Sequence, residues 1–266
     1  MDVRTRNNVH VVGDPNGPTL VLAHGFGCDQ NLWRLVTERL APHFRVVLFD
    51  HVGSGGSYPA AWDADRYASL DGYADDILEL VRELDLRDIT FVGHSVAAMM
   101  GVLAVAADAD RFAKLVLLTP SPSYLDDDGY RGGFTRSDID ELLASMDSNY
   151  LGWSRTMAPN IMGTPDRPDL GDELTESFCR TDPAMARVFA RTTFLSDNRA
   201  DLQRVSVPTL VVECARDTLA PREVGAYVHR HVDGSRLVTL DASGHCPQLS
   251  APAVTADAIA AFAGAS

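Results

Sequence analysis

Three residues of this chain have the types and surroundings for hydroxyl-based nucleophilic chemistry: Ser95, Asp217 and His245. A serine hydroxyl is a poor nucleophile at neutral pH. A histidine must take its proton, and a carboxylate must orient and stabilise the resulting imidazolium. Ser95 sits in Gly93-His94-Ser95-Val96-Ala97, after the apolar run Ile89-Thr90-Phe91-Val92 and before a run of small and apolar helix formers reaching Ala106. The pattern predicts a strand, a sharp turn and a helix, with the serine at the apex. Gly93 and Ala97, two residues before and after the serine, are small enough for strand and helix to pass close together.

Asp217 lies in the turn Glu213-Cys214-Ala215-Arg216-Asp217-Thr218, after the predicted strand Thr209 to Val212. His245 lies in Ser243-Gly244-His245, after the predicted strand Arg236 to Leu240. Loops at the ends of parallel strands share one sheet edge, so all three residues can meet there. Their order, Ser then Asp then His, is that of α/β-hydrolase triads. Asp50 also ends a strand but precedes the serine. Asp241, expected on the same loop as His245, ranks after Asp217 as the acid. His94 adjoins the serine but should point elsewhere. Two backbone N–H groups can serve an oxyanion, those of Phe26 in His24-Gly25-Phe26-Gly27 and of Val96 after the nucleophile.

Val9 to Val12 and Thr19 to Ala23 read as strands whose hairpin-like spacing predicts antiparallel strands at the start. A helix up to Pro42, a strand from Arg45 to Asp50 and a helical stripe from Tyr73 to Leu84 precede the serine, and a strand from Leu115 to Thr119 follows its helix. From Ser121 the strand–helix rhythm stops until Val207. Helical patterns at Ile139 to Met146, Leu174 to Phe178 and Ala184 to Phe194 predict an all-helical cap over residues 121–200, inserted between core segments 1–120 and 201–266. Helices at Val224 to His231 and Ala253 to Ala263 complete the chain.

With 266 residues, 45% hydrophobic and 23% charged, the sequence has the composition of an ordinary globular protein. A formal charge of −14 argues against nucleic-acid and anionic-membrane surfaces. No apolar run is long enough for a membrane span, and the first residues lack a signal-peptide core, which predicts a cytoplasmic protein with reduced thiols. Cys246, beside His245, reads as a buried small hydrophobe. The glycine-rich Gly53-Ser54-Gly55-Gly56-Ser57 fits neither phosphate-binding spacing. His229 and His231 read as a solvated helix face, and no metal or organic cofactor is required.

A wider set of residues carries a resemblance. It comprises Arg6-Asn7-Asn8-Val9, His24-Gly25-Phe26-Gly27-Cys28-Asp29-Gln30, Arg66-Tyr67, Leu70-Asp71-Gly72-Tyr73-Ala74 and Gly93-His94-Ser95-Val96. Pro120-Ser121-Pro122, Asn149-Tyr150-Leu151-Gly152-Trp153, Phe178-Cys179-Arg180-Thr181-Asp182-Pro183 and Gly244-His245-Cys246-Pro247 continue it. Through them the chain resembles the RsbQ-type branch of the α/β-hydrolases, bacterial sigma-B stress-response hydrolases related to the plant karrikin and strigolactone receptors.

The resemblance implies an α/β-hydrolase fold, a mostly parallel central sheet flanked by helices, with a four-helix V-shaped cap. It implies the Ser95/Asp217/His245 triad and slow hydrolysis of small apolar esters or butenolide-like lactones. By position it implies a pocket of Phe26, Tyr124, Phe134, Leu142, Trp153, Met157, Phe194 and Leu219. Ala97 departs from a strict second glycine, and the branch tolerates small residues there. The expected activity is that of a monomeric serine hydrolase working through an acyl-enzyme. The alternative is a ligand-sensing module that binds a PAS-domain phosphatase, with hydrolysis slow or switch-like. Cofactor-free haloperoxidase-type chemistry is a third reading, as a side reaction of the same site.

Overall fold

Apolar runs this continuous require a sheet covered on both faces. The computed structural model of the chain describes residues 1–264. Its strands are β1 (His10–Gly13), β2 (Thr19–Ala23), β3 (Arg45–Leu48), β4 (Ile89–His94), β5 (Phe112–Leu118), β6 (Thr209–Arg216) and β7 (Arg236–Ser243). They form one sheet in the order β1-β3-β2-β4-β5-β6-β7, parallel throughout except for β1 against β3. Side chains alternate between faces: Val21 and Phe91 pack into one core layer, Leu20 and Val92 into the other.

The first strand is antiparallel, as its spacing predicts, but it does not pair with the second. The 13–18 connection passes over the start of β3, where Asp14 N–H donates to the carbonyls of Ala41 and Phe44 and Arg45 N–H donates to that of Pro18. β2, apolar at every position but Thr19, thereby gains parallel neighbours on both sides, and exposed β1 is left at the edge.

Short α1 (Val3–Arg6) precedes the sheet, and α2 (Arg34–Leu40), α3 (Leu70–Glu83) and α4 (Val96–Ala107) connect its strands. Ser69 caps α3 by accepting from Asp71 N–H, while Leu70, Tyr73, Ile77, Leu80 and Val81 bury one stripe of it. Almost all of α4 is buried, as its uniformly apolar sequence requires.

Between β5 and β6 run α5 (Arg136–Ser148), α6 (Tyr150–Met162), α7 (Pro168–Arg180) and α8 (Pro183–Phe194). Three of them enclose the periodic stretches found in sequence. The fourth, α6, contains Gly152 and Pro159, which blur its periodicity. Asn149 caps its start and Gly163, at φ 63°, ends it. After β6 come α9 (Arg222–His231), α10 (Pro247–Ser250) and α11 (Pro252–Ala263). Both late strands run further than their apolar cores predict. Pairing continues through Glu213 with Thr239 to Arg216 with Ser243, so Glu213 belongs to β6 and Asp241 to β7 rather than to loops.

The β4–α4 junction is the tightest point of the sheet. Ser95 occupies φ 58°, ψ −124°, and its N–H is held by the carbonyl of Leu118 on β5. A Cβ on Gly93 would stand 2.4 Å from the carbonyl oxygen of Ala97 and 2.7 Å from Cα of Ala98. Those are backbone atoms of α4, which cannot swing aside. Gly93→Ala is therefore expected to cost roughly 3 kcal/mol in urea unfolding. A change below about 0.5 kcal/mol would show that the junction is looser than described.

Candidate active site

Ser95, Asp217 and His245 meet at the carboxyl edge of the sheet. His245 Nδ1 lies 2.8 Å and 3.0 Å from the two carboxylate oxygens of Asp217, and its Nε2 lies 2.7 Å from Ser95 Oγ. A carboxylate only accepts, so Nδ1 carries the proton and Nε2 accepts from the serine. Burial by itself would raise the pKa of Asp217. The charge and hydrogen bond of His245 and the N–H groups of Leu219 and Ala220 outweigh it and hold the carboxyl below its ordinary value.

Competing residues lie elsewhere. Asp241 is 95% exposed and pairs with Arg216. The buried Asp50 carboxylate accepts from Asn8 Nδ2, Gln30 Nε2 and the N–H groups of Gln30 and Gly56, so the glycine-rich loop wraps an internal carboxylate. His94 turns away from Ser95 and donates from Nε2 to the carbonyl of His245 at 2.8 Å. His229 bonds to Ser235 and His231 stacks on Tyr227. Among the described residues no cluster of His, Cys, Asp and Glu suits a metal ion. Burial keeps the thiol of Cys246 protonated, well above its ordinary pKa, which removes it as a nucleophile at neutral pH.

Several positioning contacts have no sequence signature. Thr119, at φ 46°, donates from Oγ1 to the carbonyl of His245 at 3.2 Å. The N–H of His245 donates to the carbonyl of Ile161, and Thr218 Oγ1 donates to that of Asn160. The loops carrying Asp217 and His245 are thus both fastened to the last turn of α6. Periodicity and residue type do not encode such main-chain partners.

Phe26, in the loop after β2, is the seat of the inserted helices. Its ring meets Trp153 on α6, Phe178 on α7, and Phe189 and Phe194 on α8, edge to face at 5.5 to 6.2 Å. Next to it, Gly27 has φ 72° and lets Phe178 lie against the main chain, where a Cβ would stand 2.3 Å from the ring. At the rim, Arg34 pairs with Glu173 and Arg180 with Asp29.

A small cavity of about 20 Å³, with room for about one water molecule, opens over the serine. Phe26, Tyr124, Phe194 and Leu219 line it together with Ser95 and His245, and so do Cys28, His94, Ile161, Leu174, Phe178, Thr193 and Cys246. Four residues expected in the wall lie outside that lining. Trp153 stacks on Phe178 at 5.8 Å and stands behind it, and Phe134 lies 6.5 Å from the ring of Tyr124. Leu142 on α5 is buried in the core, and Met157 on α6 is only partly buried against it. The close approach allowed by Gly27 makes Phe178, rather than Trp153, the inner wall.

The sequence model of the alpha/beta hydrolase family matches residues 20–258. This chain belongs to that family. It is 41% identical over 251 residues to a probable esterase D14L of Oryza sativa subsp. japonica, covering 94% of this chain and 93% of the relative. It is 39% identical over 252 residues to the Karrikin insensitive 2 receptor IA of Petunia hybrida, covering 93% and 90%. A solved hydrolase from Oleispira antarctica superposes with a TM-score of 0.97 at 39% identity, covering 100% of this chain and 97% of that one. No described helix is long and apolar enough to cross a membrane.

Two buried imidazoles make the fold sensitive to acid. Burial and then the neighbouring His245 push His94 down to about 3, and burial with His24 beside it pushes His51 well below its ordinary value. Both bind protons more readily when unfolded. Their contribution is complete above about pH 6.5 and is lost as pH falls, that of His94 down to about 3. Urea unfolding free energy should fall as pH is lowered from 6.5 to 4.5, with a slope approaching about 1.4 kcal/mol per pH unit from His94 and a further decrease of the same sign from His51. A flat profile over that range would contradict this.

Proposed function

We propose that the protein is a serine hydrolase of small apolar esters or lactones, butenolide-like rings included, with residues 121–200 as the cap over its site. The observation carrying this reading is the unbroken bond chain from Asp217 through His245 to Ser95, at 2.8 and 2.7 Å, beneath a mostly apolar wall. Ser95 Oγ attacks the carbonyl carbon while His245 Nε2 takes its proton. The N–H groups of Phe26 and Val96 receive the oxyanion, the second from the start of α4, where main-chain donors have no helical partner. The imidazolium returns the proton to the leaving alkoxide, which stays tethered to the acyl group when the substrate is a lactone. Water then adds to the acyl-enzyme with His245 again as base, releasing the acid.

A second reading, ligand sensing, draws on two observations. One relative bears the name of a receptor, and the cavity is too small to admit an ester or lactone unless the inserted helices yield. A ligand that must move the cap alters the outer surface as it binds, which suits recognition by a partner such as a PAS-domain phosphatase. Ligand-independent binding, or none, to such a partner would reject this.

With a fluorogenic butenolide and short-chain aryl esters, Ser95→Ala should lose at least about a thousandfold in kcat while its thermal unfolding stays near that of the parent. Asp217→Asn should lose a comparable factor, since the amide favours the wrong imidazole tautomer. Undiminished turnover by Ser95→Ala would remove the proposal.

A further inference from the structure

Ser95 Oγ has a second partner, the hydroxyl of Tyr124, at 3.1 Å. The serine proton is committed to His245 Nε2, so Oγ can only accept from Tyr124, and the phenol is the donor. Tyr124 is 1% exposed and rigidly placed. Its carbonyl accepts from Phe134 N–H, and its ring packs on Phe194 at 5.1 Å. Burial raises its pKa, so it keeps its proton throughout the range in which the triad works.

We propose that Tyr124 is a catalytic residue that speeds departure of Ser95 Oγ from the acyl-enzyme by donating a hydrogen bond to it. The inference rests on the hydrolase reading above. In the free enzyme the phenol stabilises the resting hydroxyl and gives no advantage to attack. In the acyl-enzyme Oγ is an ester oxygen and a poor acceptor. When water has added and the tetrahedral intermediate collapses, the C–Oγ bond breaks and its electron pair returns to Oγ. The imidazolium of His245 delivers the proton, and the products are the serine hydroxyl and a carboxylic acid. Tyr124 keeps its own proton and stabilises only the charge growing on Oγ. A donor that binds the transition state better than the acyl-enzyme accelerates this half of the cycle alone.

Tyr124→Phe removes the donor and preserves the ring. With p-nitrophenyl acetate, the first release of nitrophenol should be as fast as in the parent or faster. The acetyl adduct, loaded, desalted and followed by intact mass, should decay about tenfold more slowly. Equal decay in both proteins, equal slowing of both steps, or turnover without any adduct in the variant would overturn the role of Tyr124. A purely spatial role would leave the ratio of the two steps unchanged. If the parent hydrolyses the ester without modifying Ser95, the hydrolase reading falls and this inference with it. If the parent acetylates Ser95 and Tyr124→Phe matches it in both rates, only the inference falls.

Discussion

The left-handed backbone at Ser95 is the constraint on which the rest depends. A non-glycine residue at φ 58° is unfavourable, and it persists because its surroundings leave no alternative. β4 lies mid-sheet with every residue buried, α4 starts at once and is apolar on all sides, and the N–H of Ser95 is held by β5. Gly93 supplies the missing side chain that lets the helix turn back over the strand. The outcome is a hydroxyl lifted off the sheet edge with the amino end of a helix beneath it.

The partners of that hydroxyl come from distant segments, and their precision comes from shared supports. The carbonyl of His245 is held by His94 from the turn itself and by Thr119 at the end of the neighbouring strand. From the other side, α6 accepts from His245 N–H and from Thr218. Gly244 and Gly163 touch where these elements cross, and a Cβ on Gly244 would stand 1.7 Å from the carbonyl oxygen of Met162. The inserted helices therefore lie over Ser95 and also hold the loops of Asp217 and His245. Phe26 fixes three of those helices from below. The placement of Asp217 and His245 relative to Ser95 thus depends on α6.

What was legible in the sequence was what side-chain type and period encode. The buried strands, the turn at Ser95 with Gly93, and the Ser, Asp, His order could be read because each rests on local sterics or on the shared edge of parallel strands. The partner of β1 could not, since it depends on a connection crossing another strand. The full lengths of β6 and β7 were hidden because pairing carries polar residues such as Glu213 and Asp241 beyond the apolar runs. α6 was obscured by its glycine and proline. The cavity wall was legible only in part, because the position of Phe178 follows from a backbone angle at Gly27 and not from its own surroundings in sequence. Main-chain acceptors such as the carbonyls of Asn160 and Ile161 leave no trace in residue type.

The proposed hydrolysis requires one serine activated by one imidazole held by one carboxylate. Labelling with a fluorophosphonate, followed by intact mass and peptide mapping, addresses it most directly, because phosphonylation requires an activated hydroxyl and traps it irreversibly. A single adduct per chain is expected on Ser95, with labelling suppressed in His245→Ala. No adduct on the folded protein, an adduct on another residue, or undiminished labelling without His245 would contradict it.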